Sequence, residues 1–169
     1  MKRGQYSLLH CRRSEPLQTR EAMVERLFLV VVLAAVLAAA DLGVKATLAT
    51  RQSDFHQRSG AWVALSVTEL LGALALTLIA SAAVAVAAGL LSGGVLGNLV
   101  SARSDSNRVP NPITIGDHIT GMAFNLADVF ILAGDLFLML ALITVAVRNR
   151  DRFARPRVWD RAVRDRHRS

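Results

Sequence analysis

The sequence predicts an all-α membrane protein with four transmembrane helices, two loops on the outside and both termini in the cytoplasm. The chain of 169 residues is 53% hydrophobic, and its mean hydropathy is +0.38. Its apolar residues are gathered into long runs, and about 20 such residues in a helix cross a bilayer. Its charges collect towards the two ends of the chain, which is typical of a membrane protein and not of a soluble core.

The positive charge is unevenly distributed along the chain. Of the 20 basic residues, nine follow Val147 and six precede Leu27. Basic segments that flank apolar spans favour retention in the cytoplasm and attraction to anionic lipid. We therefore predict no nucleic-acid partner despite a pI of about 11.1, and a membrane domain over residues 27–147 between basic cytoplasmic tails, residues 1–26 and 148–169.

The apolar runs divide into four predicted spans. Residues 27–50 form the first, and residues 123–147 form the last. The run over residues 62–100 has 39 residues and one charge, Glu69, which is nearly twice the length of one span. We predict two helices there with a turn near Ser81, because two cytoplasmic tails require an even number of crossings.

Two further patterns concern packing and loops. Gly89, Gly93 and Gly97 recur every four residues, which removes side chains from one helical face and predicts close packing of another helix. Pro110 and Pro112 exclude a continuous helix over the second outside loop, residues 101–120.

Polar residues interrupt the last apolar run, which begins "GMAFNLADVFILAGD". Asn125, Asp128 and Asp135 are separated by three and seven residues, and this spacing places them on one helical face. An ionisable residue in such a run is a functional-site hypothesis by default. The alternative for Asp128 is structural, by hydrogen bonding to helix ends or pairing with Lys45. We expect Asp135 to be a buried residue without a catalytic role.

The predicted topology brings several polar residues to one membrane boundary. The first span ends there, the third returns there, and the fourth begins there. The residues at this boundary are Asp41, Lys45, Asn98, Asp117, Asn125 and Asp128. Asp41 and Lys45 are four residues apart, which predicts an ion pair within the helix. Two aspartates that share one proton are able to activate a water molecule for hydrolysis. His118 next to Asp117 lacks the companions that a zinc site needs.

Four segments resemble, in the same order, the motifs of lipoprotein signal peptidases (signal peptidase II). They are "DLGVK" (41–45), "GGVLGNLV" (93–100), "IGDHI" (115–119) and "FNLADVFILAG" (124–134). The resemblance covers about residues 28–147, and the "FNxAD" motif is its most specific part. Ser101 stands where the family usually has Asp, and Arg58 stands where it has Asn.

The resemblance implies a four-span aspartic endopeptidase of the bacterial inner (cytoplasmic) membrane, with its active site near the outer leaflet. Such an enzyme removes signal peptides from diacylglyceryl-modified prolipoproteins, works as a monomer in membrane lipid, and needs no metal or organic cofactor. Asp117 and Asp128 would be the catalytic pair. Asn98, Asn125, Asp41 and Lys45 would support the site or bind substrate.

Two other interpretations remain open from the sequence. A non-catalytic relative of the same family would bind lipid or signal helices with this fold. A small transporter would use Asp128 and Asp135 as a proton relay along the fourth span.

Overall fold

The computed structural model describes residues 15–78, 81–116, 121–148 and 150. Most of these residues form four helices. Their bounds are Glu15–Thr47 (α1), Gly60–Leu76 (α2), Ala82–Ser104 (α3) and Leu126–Arg148 (α4). The predicted helical class is confirmed, and the described part contains three helices that are long and apolar enough to cross a membrane: α1 from Arg20, α3 and α4. The tails over residues 1–14 and 151–169 lie outside the described residues.

The predicted division of the apolar run over residues 62–100 is confirmed. Helix α2 ends at Leu76, and Ser81 immediately precedes α3. Ser59 caps the start of α2, where its Oγ accepts a hydrogen bond from Trp62 N at 3.2 Å. Helix α2 has 17 residues, so it is shorter than the other three and lies at the lower limit of the usual length of a span.

Helix α1 begins earlier than the predicted first span. It starts at Glu15, twelve residues before Leu27, and so includes part of the predicted N-terminal tail. The reason is local. Pro16 lies in the first turn, where the missing N–H of proline costs nothing, and residues 17–26 contain no glycine or proline that would interrupt a helix.

Two small antiparallel strand pairs hold the loops together at one end of the bundle. Strand β1 (Phe55–Gln57) precedes α2 and pairs with β2 (Arg108–Pro110), which follows α3. Strand β3 (Ile113–Ile115) pairs with β4 (Met122–Phe124), which leads into α4. The helices therefore alternate in direction, and both predicted loops lie at the same end, as the sequence predicted.

Helix α3 is the centre of the bundle and packs against α1, α2 and α4. Its glycines permit this on two faces. A Cβ at Gly93 would lie 2.7 Å from Leu37 Cβ of α1, and a Cβ at Gly94 would lie 2.5 Å from the Ala127 carbonyl oxygen of α4. The predicted packing role of the glycine pattern is confirmed. Gly134 of α4 makes the reciprocal contact, since its Cβ would lie 2.5 Å from Leu91 N.

Gly134→Ala should destabilise the protein, because the added methyl group would meet the backbone of α3 and force the two helices apart. Overpacking of this kind costs roughly 1–3 kcal/mol of unfolding free energy. Gly72→Ala in α2 is the matched control, because nothing lies within 4 Å of its Cβ position. Thermal unfolding in detergent should show a lower midpoint for Gly134→Ala than for the wild type, and no such decrease for Gly72→Ala. Equal midpoints for the two variants would contradict this packing.

Candidate active site

Asp41 is a buried carboxylate at the centre of the loop end of the bundle. It is 0% exposed, and its Oδ2 lies 2.6 Å from Lys45 Nζ in the ion pair that the sequence predicted. Its Oδ1 accepts a hydrogen bond from the backbone N–H of Ala127 at 2.8 Å. Gly97 of α3 makes room for this carboxylate, since a Cβ there would lie 2.6 Å from Asp41 Oδ2. Asp41 thus joins α1 to the first turn of α4.

Lys45 connects this carboxylate to α3. Its ammonium group donates hydrogen bonds to Asn98 Oδ1 at 2.8 Å and to Ser101 Oγ at 3.1 Å. Ser101 in turn donates to the Gly97 carbonyl oxygen at 2.8 Å. The serine at this position therefore acts as an acceptor for Lys45, a contact that the sequence did not predict.

Asp128 closes the network from the side of α4. Its Oδ1 accepts a hydrogen bond from Asn98 Nδ2 at 3.1 Å, and its Oδ2 accepts from the backbone N–H of Asn125 at 3.2 Å. Asn125 Oδ1 accepts from the backbone N–H of Asp128 at 3.0 Å. The last two bonds form a reciprocal capping box at the start of α4. Five of the six predicted site residues therefore lie in one hydrogen-bonded network.

The polar side chains of this network differ in their exposure to solvent. Asp41, Asn98 and Asn125 are buried, whereas Asp128 is half-buried. Asp128 is thus the acid of the network that an approaching molecule is able to reach. Asp41 is enclosed by the helices and serves to fix the positions of Lys45 and α4.

Asn111 and His56 extend the network into the loops, and the sequence analysis did not identify either. Asn125 Nδ2 donates to Asn111 Oδ1 at 2.6 Å. Asn111 Nδ2 donates to the Ala123 carbonyl oxygen at 3.1 Å and lies 2.7 Å from His56 Nδ1. The sequence feature that could have indicated Asn111 is "PNP" at residues 110–112, because an asparagine between two prolines is held in an extended backbone.

Three further aspartates, Asp105, Asp117 and Asp135, are not among the residues that the structure joins in this network. Asp117 lies outside the described residues, and the described chain resumes at Gly121. Asp105 pairs with Arg108 at 2.9 Å, away from the network. The expectation that Asp135 is buried is wrong: its side chain is exposed on α4 and interacts electrostatically with Glu69 of α2. Asp135 follows Gly134, which packs against Leu91 of α3, and it lies on a side of α4 that α3 does not cover.

No family model and no curated protein sequence matches this chain. The described part of the chain also contains no group of three or more His, Cys, Asp or Glu side chains that would hold a metal ion.

Lys45→Met should destabilise the fold, because it leaves the Asp41 carboxylate buried without a counter-charge. Breaking a buried ion pair in this way costs ~3–5 kcal/mol. Adding Asp41→Asn should restore at least half of the loss, since the amide oxygen is still able to accept the hydrogen bond from Ala127 N. Folded yield and the thermal midpoint in detergent measure both effects. A double variant that is no more stable than Lys45→Met would show that the pair is not coupled.

Proposed function

We propose that this protein is a membrane-embedded aspartic endopeptidase of the signal peptidase II type, with Asp128 as one of two catalytic aspartates and Asp117 as the other. The observation that supports it is the position of Asp128. It is the half-buried carboxylate of an otherwise enclosed polar network, at the start of a largely apolar helix. A carboxylate kept at such a boundary is costly unless it is used or satisfied.

The membrane orientation of this proposal follows from charge. The start of α1 and the end of α4 lie at the end of the bundle opposite the site, and the basic tails of the sequence adjoin them. Basic flanks favour the cytoplasmic side, so the site faces the outer leaflet of a bacterial inner membrane. All four helices, including the shorter α2, cross the bilayer in this arrangement.

The proposed reaction is the hydrolysis of one peptide bond in a lipidated precursor. One aspartate, as the carboxylate, takes a proton from water, and the other, as the acid, protonates the leaving amine. The water oxygen joins the scissile carbonyl carbon while the C–N bond breaks. The diacylglyceryl group of the substrate would lie in the outer leaflet, and its signal helix would cross the membrane beside the bundle. Asn98 Nδ2 and the backbone N–H of Asn125 fix the direction of the Asp128 carboxylate, and Lys45 holds Asn98 through its Oδ1.

A non-catalytic protein of the same fold is the second candidate, and one observation favours it. Both oxygens of Asp128 already accept hydrogen bonds that stabilise the start of α4. A carboxylate in a capping box has a structural role even where no chemistry occurs. In this case the protein would bind signal helices or lipid without cleaving them, and substitution of Asp128 would change stability alone.

Asp128→Asn should abolish cleavage of a diacylglyceryl-modified precursor peptide, because an amide neither accepts nor delivers the proton. Loss of general acid–base catalysis corresponds to a decrease of at least ~100-fold in rate. Asp135→Asn is the matched control, with the same substitution on the same helix outside the network, and should retain most of the activity. The initial cleavage rate of each purified variant measures this, with the thermal midpoint recorded beside it.

If Asp128→Asn retains a tenth of the wild-type rate, a catalytic role for Asp128 is excluded. An equal loss in Asp135→Asn would instead favour the proton relay along α4. A wild-type protein that binds the precursor without cleaving it would favour the second candidate.

Asp117→Asn should likewise eliminate cleavage, because the mechanism needs a second carboxyl group that holds the proton. Asp105→Asn is the control from the same loop, since Asp105 is already paired with Arg108 and should be dispensable. Both are assayed on the same lipidated peptide. If Asp105→Asn loses activity and Asp117→Asn keeps it, the assignment of Asp117 as the second aspartate is wrong. If both variants keep their activity, the two-aspartate mechanism is excluded.

A further inference from the structure

Arg58 is a cation close to the network that the mechanism does not use. It lies in the segment between β1 and α2, and its guanidinium carbon is 4.7 Å from the centre of the Trp62 ring. The positive charges of Arg58 and Lys45 are close enough to repel each other. Lys45 is already occupied within the network, because its ammonium group contacts Asp41, Asn98 and Ser101.

The position of Arg58 is fixed by two contacts, and the second is itself supported by a hydrogen bond. Its backbone N–H donates to the Asn107 carbonyl oxygen at 2.7 Å. The ring of Trp62 supports its guanidinium group, and Trp62 is itself held in the first turn of α2 by the hydrogen bond to Ser59 Oγ. A cation over an aromatic face is stabilised by the ring quadrupole and keeps its N–H groups free for other acceptors.

The guanidinium group of Arg58 has no acceptor in the described part of the chain. Its Nε is buried there without a hydrogen-bond partner. The comparison within the molecule is Arg108, which also lies over an aromatic ring, Phe55, at 5.1 Å. Arg108 is already paired, since its Nη2 donates to Asp105 Oδ1 at 2.9 Å. Of these two arginines on aromatic rings, only Arg108 is paired with a carboxylate in the described residues.

We propose that Arg58, supported by Trp62, binds a phosphate group at the membrane boundary. Arginine donates two parallel hydrogen bonds to a phosphate, which suits this anion better than a single charge does. A tryptophan in the first turn of an apolar helix lies at headgroup depth, where lipid phosphates are found. The same chemistry would recognise a soluble phosphate. This proposal is independent of the peptidase activity.

The test uses the full-length protein with Trp159→Phe, which leaves Trp62 as the single tryptophan. The protein is purified in a phosphate-free maltoside detergent, and Trp62 fluorescence is followed during three titrations. These are phosphatidylglycerol, diacylglycerol with the same acyl chains, and inorganic phosphate. We expect a saturable change with phosphatidylglycerol and none with diacylglycerol, because the phosphate is the recognised group.

Substitution then assigns the change to Arg58. Arg58→Gln should raise the phosphatidylglycerol midpoint by ~10-fold or more, because glutamine has no charge and cannot donate paired, charge-assisted hydrogen bonds to a phosphate. Arg108→Gln is the matched control and should stay within about twofold, because Arg108 is already occupied by Asp105. If Arg58→Gln does not fold, Arg58→Lys replaces it, and the loss of paired donation should still raise the midpoint.

The three titrations distinguish a lipid headgroup, a soluble phosphate and the absence of a phosphate site at Arg58. A response to phosphatidylglycerol that depends on Arg58, with none to inorganic phosphate, assigns the site to a lipid headgroup. A response to inorganic phosphate with the same dependence on Arg58 assigns it to a soluble phosphate. The proposal is overturned if diacylglycerol acts as well as phosphatidylglycerol, if the Arg58 variants keep the wild-type midpoint, or if Arg108→Gln raises the midpoint equally.

Discussion

The first turn of α4 requires partners for its backbone N–H groups, and the rest of the site is arranged around this need. A helix leaves its first N–H groups without partners inside the helix, and the burial of Asn125 and Ala127 leaves no water beside them as a replacement. Asp41 accepts from Ala127 N, and Asn125 accepts from Asp128 N. The negative charges of Asp41 and Asp128 are also favoured there by the helix dipole. Buried Asp41 then needs Lys45, and Lys45 brings in Asn98 and Ser101 from α3.

Under the proposed function, structural and chemical roles coincide in the same residues. The hydrogen bonds that stabilise the start of α4 also hold the carboxylate of Asp128 at a fixed angle, and a catalytic group needs such support to be held in position. Asp41 has the supporting role because it is enclosed, whereas Asp128 is half-buried and reachable. The packing of α3 permits this closeness, since Gly94 and Gly97 leave space for the first turn of α4 and for the Asp41 carboxylate.

Much of the fold and of the network could be predicted from the sequence, for identifiable reasons. Long apolar runs fix helices, the spacing of Asp41 and Lys45 fixes an ion pair, and glycines four residues apart indicate close packing. The contacts of Asn111, His56 and Ser101 could not be predicted, because they depend on how loops fold across the bundle. The burial of Asp135 was predicted wrongly, since helical spacing from Asp128 does not reveal where the packed face of α4 ends.

The central proposal is that this network belongs to a peptidase acting on lipidated substrates. The most direct measurement is the mass of the products formed when the purified wild-type protein meets a precursor peptide with and without its diacylglyceryl group. We expect a single cut immediately before the modified cysteine, with the lipid retained on the C-terminal product, and no cut in the unmodified peptide. Cutting at another position, equal cutting of both peptides, or no cutting of the lipidated peptide would contradict the account.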